Sequence, residues 1–238
     1  MGRLFCATAK PTETVLSETE QRGLVSSFGP IVSGLDSFYL SNEKASGRGE
    51  LVPHSDHCFF DHPLQGLALY AKEASETGGA TLFVNAGAAC QALPDDLRAE
   101  LAEKEALHIY DPSERLGEGY EGPDVPEGGY RAIHPVIWDH PVTGVPILYV
   151  NPWMTRAIVG MDADAGRALL SRVFHHLENP EFSYRHEWRR NDFVVWDNMM
   201  LLHAREDYDP SQPRVMHRLE IGLAGSSPNP HAFAQSSV

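Results

Sequence analysis

The stretch LVPHSDHCFF, residues 51–60, sets His54, Ser55, Asp56 and His57 side by side between apolar residues. Ionisable groups in such a setting are costly unless they are paired or hold a metal. On a strand, residues i and i+2 project to the same face, so His54 and Asp56 point together and Ser55 points away. One imidazole and one carboxylate on one face are two parts of a 2-His-1-carboxylate triad, which binds Fe(II) and leaves coordination positions open. The third ligand has to come from elsewhere, and His203, near the end of an apolar strand pair in VVWDNMMLLHAR, is the best candidate. With 12 histidines in the chain, a hydrogen-bonded core histidine is the plainer reading of any one of them, and the short motif alone does not decide. His57 has the opposite parity on a regular strand and is read as supporting the site rather than ligating. Trp196 and Asn198, in WDN, line or support the same site, and Asp197 reads equally as a turn residue.

Elements must carry these side chains to one place. LSETEQRGLVSSFGP predicts a helix, opened by the capping box of Ser17 and Glu20 and stopped at Gly29-Pro30. Residues 41–50 form a polar, Gly-containing loop. LVPHSDHCFF, GLALYAKEA and GGATLFVNA read as strands, and GAACQALPDDLRAELAEKEAL as a helix in two pieces broken at Pro94. Residues 111–130, rich in Gly, Pro and acids, form a long loop of the kind that serves as a lid. IHPVIWDHPVTGVPILYVN predicts a hairpin turned at Thr143-Gly144, and DADAGRALLSRVFHHLENPE an amphipathic helix. FSYRHEW, DFVVWD, MMLLHAR and RVMHRLEIGL read as further strands, followed by a flexible tail from about residue 225. Many short strands with a few helices outside them predict a β-sandwich or jelly roll, in one domain over 1–238.

The 238 residues carry a formal charge of −14 and 42% hydrophobic residues, enough to bury a sizeable core. Such a field repels nucleic acid and anionic membrane, so neither is an expected partner. Three widely spaced cysteines fit neither a disulfide framework nor a zinc ribbon, and no segment approaches a membrane span. A cytoplasmic protein with reduced thiols is expected, Cys58 and Cys90 serving as small buried hydrophobes.

The joint pattern over residues 16–224 is far more specific than the motif alone. FGPI, PHSDHCF, LYAKEASETGGATLFVNAGAACQALP, HPVIWDHPVTGVPILYVNPWMTRAIVG, NPEFSYRHEWRRNDFVVWDN and LLHAREDYDPSQPRVMHR occur in one order. In them the chain resembles the taurine dioxygenase / 2,4-D dioxygenase (TauD/TfdA) family of Fe(II)- and 2-oxoglutarate-dependent dioxygenases. The resemblance implies a mainly β fold with flanking helices, a double-stranded β-helix (cupin-like jelly roll), shortened here in its N-terminal region. It implies that His54, Asp56 and His203 hold iron. Thr81 would hydrogen-bond a carboxylate of 2-oxoglutarate, and Arg214, 11 residues after His203, would pair with that same distal carboxylate. Arg218 would meet substrate or cofactor near the metal. From the residues themselves, Arg214, Met216 and Arg218 alternate along one strand and share a face, the two arginines about 13 Å apart. The planar fork of Arg suits a carboxylate.

The implied cofactors are Fe(II), 2-oxoglutarate as cosubstrate and O2. The implied reaction oxidises, most simply hydroxylates, a small anionic organic molecule and releases succinate and CO2. A carboxylate at position 56 is not the small residue of the related halogenases, so halogenation is not expected. A homodimer or tetramer is implied by the resemblance alone. Two other readings compete: a non-catalytic jelly-roll protein that binds a small molecule, and a jelly-roll metal hydrolase or isomerase, which gives Thr81 and Arg214 no joint role.

Overall fold

The structure is a computed structural model. It describes residues 49–112 and 124–221, together with the backbone of three N-terminal strands. Residues 17–30 of the helix expected over 16–30, most of loop 41–50, residues 113–123 of the acidic loop and the tail lie outside the described residues, and Leu16 ends a strand instead.

In chain order the strands are β1 Gly2–Ala7, β2 Thr12–Leu16, β3 Ser37–Ser41, β4 Leu51–His54, β5 Gly66–Glu73, β6 Thr81–Asn85, β7 Glu105–Tyr110 and β8 Tyr130–Pro135. They continue with β9 Ile137–Asp139, β10 Pro146–Leu148, β11 Thr155–Ile158, β12 Ser183–His186, β13 Phe193–Asp197, β14 Leu201–Arg205 and β15 Val215–Ile221. The helices are α1 Ala86–Gln91, α2 Asp95–Leu101 and α3 Ala163–Leu177.

Two sheets define the architecture. One runs β2-β1-β13-β5-β15-β3 and the other β12-β6-β14-β4. Their inner faces meet in a cluster of Leu67, Leu69 and Ala71 of β5, Val194 and Trp196 of β13, and Met216 of β15 with Phe83 of β6 and Leu201 of β14. The opposite face of the smaller sheet presents Val84 and Leu202 to a second cluster, which includes Cys90 of α1, Leu97 and Leu101 of α2, and Leu169, Leu170 and Val173 of α3. The fold is a jelly roll backed on one side by helices, as the sequence predicts.

The period-2 alternation of these strands settles which residues look inward. Leu201 of β14 faces the space between the sheets, and so does His203. Phe83 of β6 faces inward, and so does Thr81. Met216 of β15 faces inward, as do Arg218 and Glu220, whereas Leu219 packs on the outer side with Ala68 and Phe193.

Three elements differ from expectation. The strand read through LVPHSDHCFF ends at His54, and residues 56–59 form a turn in which the Phe60 N–H donates to the His57 carbonyl at 3.1 Å. The second helical piece stops at Leu101, and Glu105–Leu107 open β7 instead. The break expected at Pro94 is present: Pro94 stands at the N-cap of α2, where its ring fits the entry to a helix better than the interior. Arg214 lies just before β15, and the register against β5 shifts between Val215 and Met216, so simple alternation does not carry Arg214 to the face of Arg218.

Candidate active site

β4 and β14 pair antiparallel with His54 directly opposite His203. Cross-strand partners hold their Cβ atoms roughly 5 Å apart, so the ladder itself brings the two imidazoles together. Their ring centroids are 4.2 Å apart. Asp56 arrives from the turn after β4, with Oδ1 3.6 Å from His54 Nε2 and Oδ2 3.3 Å from His203 Nε2. One ligand atom from each of the three residues lies within 4.8 Å of the others.

The donor chemistry suits a divalent cation. The Nδ1–H of His54 donates to the Val52 carbonyl at 2.8 Å, which leaves the Nε2 lone pair facing Asp56 and His203. Burial first, then the neighbouring His203, pulls the His54 pKa down to about 3, so the ring is neutral and able to ligate. Burial alone would raise the Asp56 pKa. Arg218 and then His203 outweigh it and hold the carboxyl well below the usual carboxylate range. Among the described residues His203 Nδ1 has no such orienting hydrogen bond; its ring packs against Trp196 at 5.1 Å and against His54.

Asn198 fixes the turn that delivers Asp56. The Asp56 N–H donates to Asn198 Oδ1 at 3.0 Å, and Asn198 Nδ2 donates to the carbonyls of Asp56 and Leu64 at 2.9 and 2.8 Å. Asn198 is fully buried, and its own N–H donates to the Gln65 carbonyl. Asp197 closes β13 and caps the turn that follows, its Oδ1 accepting the N–H groups of Met199 and Met200. His57 adopts a left-handed conformation, φ 60°, and packs its ring against Phe59 and Phe60. It is buried in the turn outside the ligand triad.

Thr81 and Arg214 are both buried, at 4% and 3% exposure. Arg214 lies with its guanidinium 5.4 Å from the centroid of the Tyr208 ring and makes no ion pair among the described residues. Burial, with Arg205 second, brings its pKa down to about 10. Gly79 has φ 69°, and a Cβ there would stand 3.2 Å from Arg214 Nε, so glycine serves both the backbone and the close approach. Arg218 places Nη2 2.7 Å from Asp56 Oδ2 and 3.0 Å from Glu220 Oε1.

Two residues at the site escaped the sequence reading. Trp153 is half-buried and stands edge-on to His54 with centroids 4.7 Å apart. Its signal was only an aromatic residue after the hairpin. Glu220, buried beside Arg218, gives no signal before the strand's inner face is known.

A jelly roll with two histidines and a carboxylate converging between its sheets defines a mononuclear metal protein of the facial-triad class. The chain belongs to the "Taurine catabolism dioxygenase TauD, TfdA family", whose sequence profile matches residues 13–219. It is 31% identical over 186 residues to pentalenolactone F synthase of Streptomyces avermitilis, covering 70% of this chain and 59% of that protein. It is 30% identical over 227 residues to (S)-phenoxypropionate/alpha-ketoglutarate-dioxygenase of Delftia acidovorans, covering 84% and 77%. The chain thus spans about 60% of the length of the first of these relatives. Among solved structures, AAD-2 in complex with Mn(II) and N-oxalylglycine superposes with a TM-score of 0.68 at 26% identity, over 91% of this chain and 93% of the other.

Proposed function

We propose that the protein is an Fe(II)- and 2-oxoglutarate-dependent dioxygenase that hydroxylates a small anionic organic molecule. The observation that carries the reading is the triad His54, Asp56 and His203 in a jelly roll that also buries Arg214 with no counter-anion among the described residues. A buried cation lacking an anion is expensive, and a dicarboxylate cosubstrate removes that expense.

In this proposal His54 Nε2, the Asp56 carboxylate and His203 Nε2 hold the iron. When bound, Fe(II) supplies the centre at which O2 oxidatively decarboxylates 2-oxoglutarate to succinate and CO2, with one oxygen atom passing to substrate. Arg214 and the Thr81 hydroxyl bind the far carboxylate of 2-oxoglutarate and set its orientation. Trp196 and Trp153 wall the triad and limit water beside it. Arg218, already beside Asp56, presents positive charge to an acidic substrate or to the cosubstrate. Asn198 and His57 support the turn that carries Asp56.

The similar protein named for (S)-phenoxypropionate, and another from Cupriavidus pinatubonensis named for 2,4-dichlorophenoxyacetate, support a small carboxylate as the substrate class. The N-oxalylglycine of AAD-2 carries the two carboxylates and oxo group of 2-oxoglutarate, which supports the cosubstrate. No helix among the described residues is long and apolar enough to cross a membrane. A cytoplasmic location, with Cys58 and Cys90 reduced and buried, and a homodimer or tetramer belong to the same proposal.

The test is succinate formation by anaerobically purified protein given Fe(II), 2-oxoglutarate, ascorbate and O2. Uncoupled turnover in the wild type, lost in Asp56→Ala and Arg214→Ala, is expected. Protein that holds Fe(II) but makes no succinate, with or without small carboxylic acids added, would overturn the reading in favour of a binding protein.

A further inference from the structure

Thr81 is hydrogen-bonded to a side chain outside the site assembled above. The Nε1–H of Trp188 donates to Thr81 Oγ1 at 2.9 Å, and Trp188 is itself 9% exposed. An indole N–H is a donor only, whereas a hydroxyl has one proton and two acceptor lone pairs. Trp188 therefore occupies an acceptor position and leaves the Thr81 proton to be donated elsewhere. Among the described residues nothing accepts that proton. A buried O–H without an acceptor is unfavourable until an acceptor arrives.

Trp188 is in turn held by both sheets. β12 pairs with β6 so that His186 stands opposite Thr81. The His186 ring meets Trp188 edge-on, centroids 4.6 Å apart at 83°. His186 Nε2 lies 3.4 Å from Asp192 Oδ2, both residues buried, and the same Asp192 oxygen accepts the Arg189 N–H at 2.8 Å. The turn is then anchored to β5 of the larger sheet: the Asn191 N–H donates to the Ala71 carbonyl at 2.7 Å, and the Ala71 N–H to the Asp192 carbonyl at 2.8 Å. Residues 186–192 thus form a strap across the sheets, and its indole N–H ends on Thr81.

We propose that Trp188 is a positioning residue for the cosubstrate: by donating to Thr81 Oγ1 it turns the hydroxyl proton toward the distal carboxylate of 2-oxoglutarate. This rests on the function proposed above. Trp188 does not touch the cosubstrate in this scheme; it fixes the rotor of a group that does, so the hydroxyl binds a carboxylate acceptor without first reorganising.

The experiment is a double-mutant cycle of Trp188→Phe and Thr81→Val, read as 2-oxoglutarate affinity of the Mn(II)-loaded protein by calorimetry. Oxalate, which chelates a metal but has no distal carboxylate, is titrated in parallel. Trp188→Phe is expected to weaken 2-oxoglutarate binding about fivefold, the order of one lost hydrogen bond. Thr81→Val is expected to weaken it at least as much, and the double variant no more than Thr81→Val alone. Mn(II) and oxalate affinities stay within about twofold of wild type, the few-tenths scale of a distant change. Undiminished 2-oxoglutarate affinity in Trp188→Phe, a loss that adds fully to that of Thr81→Val, or an equal loss for oxalate would overturn the positioning role.

A second readout needs no change at Trp188. The chain has four tryptophans. With the ¹⁵N indole signal of Trp188 assigned by replacing the other three with Phe, 2-oxoglutarate but not oxalate should shift it, and Thr81→Val should abolish the shift. An indole signal indifferent to 2-oxoglutarate would count against the role. A wild type that holds Mn(II) yet fails to bind 2-oxoglutarate would sink the function as well, whereas a failed cycle with normal wild-type binding sinks only the role of Trp188.

Discussion

Asn198 commits its whole amide to the chain around Asp56, and it is fully buried. Its loss strands the Asp56 N–H and two carbonyls away from water. Each such group costs on the order of 1–3 kcal/mol. Asn198→Ala is therefore expected to destabilise the metal-free protein by about 2–4 kcal/mol in urea unfolding. The turn carrying Asp56 loosens with it, so Mn(II) affinity falls by more than about tenfold, in the range of other residues that orient a ligand from behind. A destabilised variant that binds Mn(II) as the wild type does would show that the turn is held by something else. At this scale the sequence was informative about type and silent about partners. His54, Asp56 and His203 could be named because few other roles suit an imidazole and a carboxylate between apolar residues. The hydrogen bond from Asp56 to Asn198 joins residues 142 positions apart, and no local pattern encodes it. The pairing of His54 with Asp56 was inferred from strand parity, yet the turn after β4 brings them together. The residues were legible and the geometry behind them was not.

Local chemistry shows how far the elements themselves could be read. α3 was plain from its apolar stripe, and its N-cap Asp162 accepts the N–H groups of Asp164 and Ala165. The hairpin of β9 and β10 was equally plain, with Gly144 at φ 68° in its turn. Glu105–Leu107 was misread because a short apolar stretch after a helix fits either period; only pairing with β8 and β11 makes it β7. The loop entering β6 is set by tertiary demands as well. Gly79→Ala places a Cβ 3.2 Å from Arg214 Nε and forces a non-glycine residue to φ 69°. The left-handed backbone costs about 1 kcal/mol, and the guanidinium has to shift. The expected result is a several-fold loss of 2-oxoglutarate affinity with Mn(II) affinity retained, read by the same titrations. Asp162→Ala, at the N-cap of α3, is the counterpart away from the triad residues. It should lower unfolding stability by about 1 kcal/mol and leave both affinities unchanged.

Burial also determines how the whole molecule responds to acid. His108 is 0% exposed, with Nδ1 3.1 Å from Thr155 Oγ1 and the His134 ring 5.5 Å away. Burial first and His134 second bring its pKa down to about 3, and burial lowers that of His134 too. In the unfolded chain a histidine titrates near about 6.5. Between those values the unfolded state binds a proton that the folded state refuses, so stability increases with pH across the window. The contribution of neutral His108 is fully present above the unfolded pKa and is lost as pH falls from about 6.5 toward 3, at up to about 1.4 kcal/mol per pH unit. His54 adds to the trend in metal-free protein, since its pKa is also brought down to about 3. Urea unfolding of the metal-free protein at pH 7.5, 6.0 and 5.0 should therefore show a steep loss of stability. In His108→Phe the slope should fall by close to one proton even though the hydrogen bond to Thr155 is gone. A variant with the wild-type slope would mean that native His108 takes up its proton as readily as the unfolded chain does, and the acid sensitivity would have to be assigned to the carboxylates instead.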